Sequence, residues 1–135
     1  MNRLPGLIAA VEACGSIALV DVMVGERRYT ATLLGAEEAP AWELGVPVAL
    51  LFKETEVALA KNLSGLISLR NRMKGAVTAL ERGQILSKVK LDVNGHAISS
   101  VITTRSFDML QLAIGDEIEG LVKANEMTIV PETLS

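Results

Sequence analysis

Asn71-Arg72-Met73-Lys74-Gly75-Ala76-Val77-Thr78-Ala79-Leu80-Glu81 restates, about seventy residues on, the opening Asn2-Arg3-Leu4-Pro5-Gly6-Leu7-Ile8-Ala9-Ala10-Val11-Glu12. The match continues outward. Both copies pass through a glycine into alternating apolar stretches, residues 17–24 and 85–93, and each stretch turns at a glycine, Gly25 or Gly95. Asn94-Gly95 is the favoured two-residue type I′ hairpin, because both central positions need positive φ. Leu44-Gly45-Val46-Pro47-Val48 then matches Ile114-Gly115-Asp116-Glu117-Ile118, and Leu51-Phe52-Lys53-Glu54-Thr55-Glu56-Val57 matches Leu121-Val122-Lys123-Ala124-Asn125-Glu126-Met127. The chain is a tandem duplication, with one residue of slip.

Period-two alternation within each copy reads as four or five short strands of a half-buried antiparallel sheet. A helical turn interrupts them, at 37–44 in the first copy and 106–112 in the second, with Ser106 or Thr104 as the second turn's cap. Strands with a short helix before the last pair predict an all-β protein of two tandem OB-like five-stranded barrels, residues 1–62 and 63–135. The joint at 60–65 lacks the Pro or Ser/Gly richness of a free linker, so the two barrels are expected side by side. Half of the residues are hydrophobic, but there are only one Trp, one Tyr and two Phe, so the core is aliphatic. A seventy-residue barrel of that kind has a thin core, which predicts further packing into a homo-oligomer, a dimer or trimer.

Composition excludes several classes of function. A net charge of −3 and 3% aromatic residues argue against nucleic-acid binding, which wants stacking rings in a basic groove. No segment approaches the apolar length of a membrane span, and the N-terminus lacks a signal-peptide pattern, so a cytoplasmic location is expected. The single cysteine, Cys14, precludes an internal disulfide, and the lone His96 has no companion ligands for a metal site. There is no phosphate loop and no nucleophile–base arrangement, so an enzyme is not expected.

The chemistry-bearing stretch is Ile67-Ser68-Leu69-Arg70-Asn71-Arg72-Met73-Lys74-Gly75. It resembles the Ser-x-Arg-Asn opening of the molybdenum-binding Mop (TOBE-type, molbindin) repeats. Val101-Ile102-Thr103-Thr104-Arg105-Ser106 is similar to their Val-Ile-Thr-x-x-Ser segment, and Leu121-Val122-Lys123-Ala124-Asn125 to their last Lys-Ala strand. The resemblance implies binding of molybdate or tungstate at subunit interfaces through Ser68, Arg70, Asn71, Thr103, Ser106, Lys123 and Ala124. A tetrahedral dianion needs convergent hydroxyl, amide and cationic donors, which this set supplies. Ser68 and Arg70 stand two apart, and on a strand they would share a face. Thr103 and Ser106 open a helical turn, where backbone N–H groups are also expected to be unpaired. Asn71 more simply organises the turn.

The plainer readings are an ion pair for Arg70, ordinary strand or cap roles for Ser68 and Thr103, and an edge charge for Lys123. Lys53 recurs at the position of Lys123, which fits a site or a constraint of the fold. The first copy lacks the Ser-x-Arg, reads Leu33-Leu34-Gly35-Ala36 where the second has hydroxyls, and follows Lys53 with Glu54. It is therefore expected to scaffold, with Lys53 and Thr55, and beyond them Thr30 and Thr32, as secondary candidates. Three functions compete: storage of molybdate or tungstate, a regulatory module of a molybdate transporter ATPase or regulator acting through that partner, and an oligomerisation module with a dead site.

Overall fold

In the computed structural model, which describes residues 1–34 and 42–132, the alternating stretches are strands. The first copy forms β1 (Asn2–Cys14), β2 (Ile17–Val24), β3 (Arg27–Leu34), β4 (Pro47–Phe52) and β5 (Ala58–Ala60). The second forms β6 (Asn71–Glu81), β7 (Leu86–Val93), β8 (His96–Thr103), a helix α1 (Thr104–Leu110), β9 (Glu117–Val122) and β10 (Thr128–Pro131). Short 3-10 turns at Glu54–Glu56 and Ala124–Glu126 precede β5 and β10. The helical turn expected at 37–44 lies mainly outside the described residues, and Leu44 belongs to a turn.

The compact units do not follow the repeat boundary at residue 62. One, the motif barrel, comprises Met1–Asn2 and Lys53–Val122; the other, the companion barrel, comprises Arg3–Phe52 and Lys123–Ser135. Their sheets have the same topology, β5-β9-β6-β7-β8 and β10-β4-β1-β2-β3, and each takes its short edge strand from the other sequence copy. Thus β5 pairs with β9, Ala58 opposite Leu121 and Ala60 opposite Glu119, and β10 pairs with β4, Ile129 opposite Leu50. Val57, just before β5, is 1% exposed in the core of the motif barrel. The division 1–62 and 63–135 thus describes the duplication of sequence, whereas the fold exchanges the last strand of each copy.

Each barrel bends its long first strand at the same place. Register shifts by a bulge between Ile8 and Ala10 in β1, and between Val77 and Ala79 in β6. There the strand bonds a loop: Val77 N–H donates to Asp116 O at 2.9 Å and Val77 O accepts from Gly115 N–H at 2.8 Å, mirrored by Ile8 with Val46 and Gly45. The bulge lets one strand serve two neighbours and curls the sheet. Asn94 and Gly95 carry φ of 51° and 87°, as the type I′ hairpin requires. The core is aliphatic, as composition implied, built on Met73, Val77, Val89, Leu91, Ile98 and Val122 in the motif barrel. Tyr29 and Phe52 join the aliphatic core of the companion. No helix among the described residues is long and apolar enough to cross a membrane.

Candidate functional site

The β8–α1 junction carries two of the expected site residues. Thr103 ends β8 in extended conformation (ψ 146°) and caps α1, its Oγ1 accepting the Ser106 N–H at 3.2 Å. The cap is thus Thr103, not Ser106 or Thr104, because only the residue still in the β region can turn its hydroxyl onto the first free amides. The Thr103 hydroxyl in turn donates to Ser106 Oγ at 3.0 Å, which leaves the Ser106 O–H as the donor for another partner. The amides here are more fully used than expected: Thr104 N–H donates to Ile85 O at 2.8 Å. Gln111 closes the helix with a left-handed φ of 49°.

Beneath this junction lies a buried polar network. Thr104 Oγ1 donates to Gly83 O at 2.9 Å, Ser87 Oγ donates to Thr104 Oγ1 at 2.8 Å, and Gly83 N–H donates to Ser87 Oγ at 3.1 Å. Every hydroxyl proton has one acceptor, so Ser87 and Thr104, 2% and 5% exposed, are buried without an unmet bond. The network ties the β6–β7 turn to the start of α1. Between them opens a cleft of about 470 Å³ lined by Arg82, Gln84, Ile85, Thr103, Thr104, Arg105 and Asp108. Thr104→Val keeps the shape and removes the hydroxyl. It is expected to destabilise the motif barrel by about 1–3 kcal/mol in urea unfolding, since two buried groups lose their partner.

The segment before β6 differs from the sequence expectation. Strand pairing begins at Asn71, so Ser68 and Arg70 lie in irregular chain and the common strand face does not apply to them. Both are exposed. Among the described residues Arg70 makes no hydrogen bond or ion pair, so it is not held in a surface salt bridge. Asn71 is fully buried, at 0% exposure, at the first paired position of β6, opposite Val122. Its sequence counterpart Asn2 is also buried, and its side-chain amide donates to Ser99 O and accepts from Ser99 N–H, both at 2.8 Å.

The exchange of strands redistributes the lysines. Ser68, Arg70, Asn71, Thr103 and Ser106 belong to the motif barrel, together with Lys53 and Thr55; Lys123 and Ala124 belong to the companion. Lys53 and Lys123 are each exposed and N-cap a 3-10 turn, Glu56 N–H donating to Lys53 O and Glu126 N–H to Lys123 O at 3.0 Å. Glu54, whose charge counted against the first copy, is paired with Lys88 at 3.3 Å. Thr30 donates to Asp21 Oδ1 at 2.8 Å, so its hydroxyl proton is engaged. Cys14 is exposed at the end of β1.

Arg82, Arg105 and Ser87 were not singled out from sequence. Arg82 grips Asp108 with two bonds, Nε at 3.0 Å and Nη2 at 2.9 Å. These hydrogen bonds hold the Asp108 carboxyl below the ordinary carboxylate range and raise the Arg82 guanidinium. At the far end of α1, Lys61 Nζ donates to the carbonyls of Leu110 and Gln111, at 3.2 and 3.0 Å, and to Asp116 Oδ2 at 3.3 Å. The Ala113 amide, then Lys61, lower the Asp116 carboxyl. The helix is therefore fixed at both ends.

The fold is that of two OB-like barrels in tandem, a duplicated all-β module. The TOBE domain model matches residues 67–129. Molybdenum-pterin-binding protein 1 of Clostridium pasteurianum is 34% identical over 65 residues, covering 47% of this chain and 96% of that protein. The molybdenum import ATP-binding protein ModC of Brucella abortus (strain 2308) is 30% identical over 122 residues, 90% of this chain. The chain spans only 32% of the length of that relative. Among solved structures, the cytoplasmic molybdate-binding protein ModG, with molybdate bound, superposes with a TM-score of 0.88 at 24% identity, covering 97% of this chain and 96% of that one. That likeness establishes the tandem fold. The chain belongs to the Mop/TOBE family.

Proposed function

We propose that this protein binds molybdate or tungstate in the cytoplasm and stores it, without chemistry on the metal. The observation that carries this is the exposed Arg70, without a hydrogen-bond or ion-pair partner among the described residues, in the same barrel as the Thr103–Ser106 pair, in which the Ser106 hydroxyl keeps its proton for another acceptor. A tetrahedral dianion presents only acceptors, and this barrel offers it Ser68, Arg70 and Ser106 as donors. Lys53, on the same barrel, takes the place that the resemblance gives to Lys123. Lys123 and Ala124 serve a second site built on the companion barrel or on another copy of the chain in a dimer or trimer. The network under Thr104 supports selectivity: donors fixed at one spacing favour an anion of one size, and sulfate is smaller with the same charge.

Titration calorimetry with molybdate, tungstate and sulfate tests this, with micromolar or tighter binding of the two large anions and silence with sulfate as the expected result. Equal affinity for all three, or silence throughout, would overturn it. Arg70→Ala is expected to lose ten- to a hundredfold in molybdate affinity, because a charge-assisted bond contributes about 1.5–3 kcal/mol. Unchanged affinity in a folded Arg70→Ala variant would move the site elsewhere.

A regulatory reading is favoured by one observation, the match of 90% of this chain to 32% of a transporter ATPase. On that reading the same site senses the oxyanion for a partner. Co-purification of an ATPase subunit that depends on molybdate would support it.

A further inference from the structure

We propose that Arg105 is a further anion-binding residue of the motif barrel, and that Arg82 keeps the adjoining cleft receptive to anions by masking Asp108. This deepens the oxyanion reading above and rests on it. Arg105 is exposed, lines the cleft beside Thr103, and among the described residues makes no hydrogen bond or ion pair. An arginine with no partner at the mouth of a cleft is a cation available to a ligand. The seven-residue helix behind it is short, so the charge of this cleft comes from side chains.

Asp108 is the one carboxylate in the lining, and alone it would repel a dianion beside Thr103. Both its oxygens are taken by Arg82, Oδ1 by Nε and Oδ2 by Nη2. The pair is exposed, 60% for Arg82 and 50% for Asp108, where a lone ion pair contributes little to stability. Its consequence is electrostatic: with Asp108 neutralised, Arg105 sets the sign of the cleft. The position is fixed because Arg82 adjoins Gly83, which the buried Thr104–Ser87 network holds in place. In the first copy the residue matching Arg82 is Ala13, so the device is specific to the motif-bearing repeat.

The test is molybdate affinity of the full chain by calorimetry, with melting curves confirming that each variant is folded. Arg105→Gln is expected to weaken binding about fivefold, a screened and exposed contact. Arg82→Gln should weaken it about five- to tenfold, by unmasking Asp108. Asp108→Asn should tighten it about threefold, and the double variant R82Q/D108N should bind at least fivefold more tightly than R82Q alone. A strut gives the opposite pattern, since removing either partner or both then has the same effect. Wild-type affinity in R105Q, or a double variant as weak as R82Q, overturns the inference while the oxyanion reading stands. Silence of the wild-type chain with molybdate overturns both.

Discussion

Truncation after Val122 is expected to unfold the companion barrel and leave the motif barrel folded. The cut removes β10, which pairs with β4 from Thr128 opposite Leu51 to Pro131 opposite Val48. It also removes Met127 and Ile129, 2% and 5% exposed. Full burial of each such side chain is worth about 1.5–3 kcal/mol. Losing both, with a strand of backbone bonds, takes most of the about 5–15 kcal/mol that holds a domain. All five strands of the motif barrel, β5 to β9, survive the cut. Hydrogen exchange reads the difference: amides of β2 and β3 should lose protection, while those of β7 and β8 keep it. Loss of protection in β7 and β8 instead would mean that the barrels follow the sequence repeats.

Gly75→Ala is expected to destabilise the motif barrel by about 3 kcal/mol or more in urea unfolding, an overpacking effect at a site that cannot relax. A Cβ at Gly75 would stand 2.4 Å from the Asp92 carbonyl oxygen and 3.0 Å from Val93 Cγ2. The obstacle is backbone, so no rotamer change relieves it. Gly6 meets the Met23 carbonyl at 2.5 Å in the companion barrel, the same crossing in the other copy. Thr78→Ala, three residues on and exposed, is the control and should change stability by no more than about 0.5 kcal/mol. A Gly75→Ala variant as stable as that control would contradict the close crossing of β6 over β7.

The duplication, the hairpins and the all-β class were legible because each leaves a local mark. Gly6 and Gly75 recur at matched positions, Asn94-Gly95 forces its turn, and alternation reports which side chains face inward. Alternation does not report which strand lies alongside. Ala58–Ala60 pairs with β9 just as well by pattern as it would with β4, so the exchange of edge strands was not readable. The motif residues were legible by type and less so by placement. Ser68 and Arg70 precede the strand because pairing starts at Asn71, whose side chain is buried. With hydroxyls at Thr103, Thr104 and Ser106, sequence alone did not show which one caps the helix and which is buried. Thr104 points inward to Ser87 and Gly83, far away in sequence, and that contact decides the matter. Arg105 sits between motif hydroxyls at a position where the pattern is silent, and only the cleft gives it a role.

On the proposed function, donors on the motif barrel select a large tetrahedral oxyanion. Equilibrium dialysis of the full chain against molybdate in the presence of a large excess of sulfate, with molybdenum counted on each side of the membrane, is the decisive experiment. Retention of molybdenum in a fixed ratio to protein, undiminished by sulfate and lost in Arg70→Ala, is the predicted result. Molybdenum at equal concentration on both sides, or displaced in proportion to added sulfate, would contradict it.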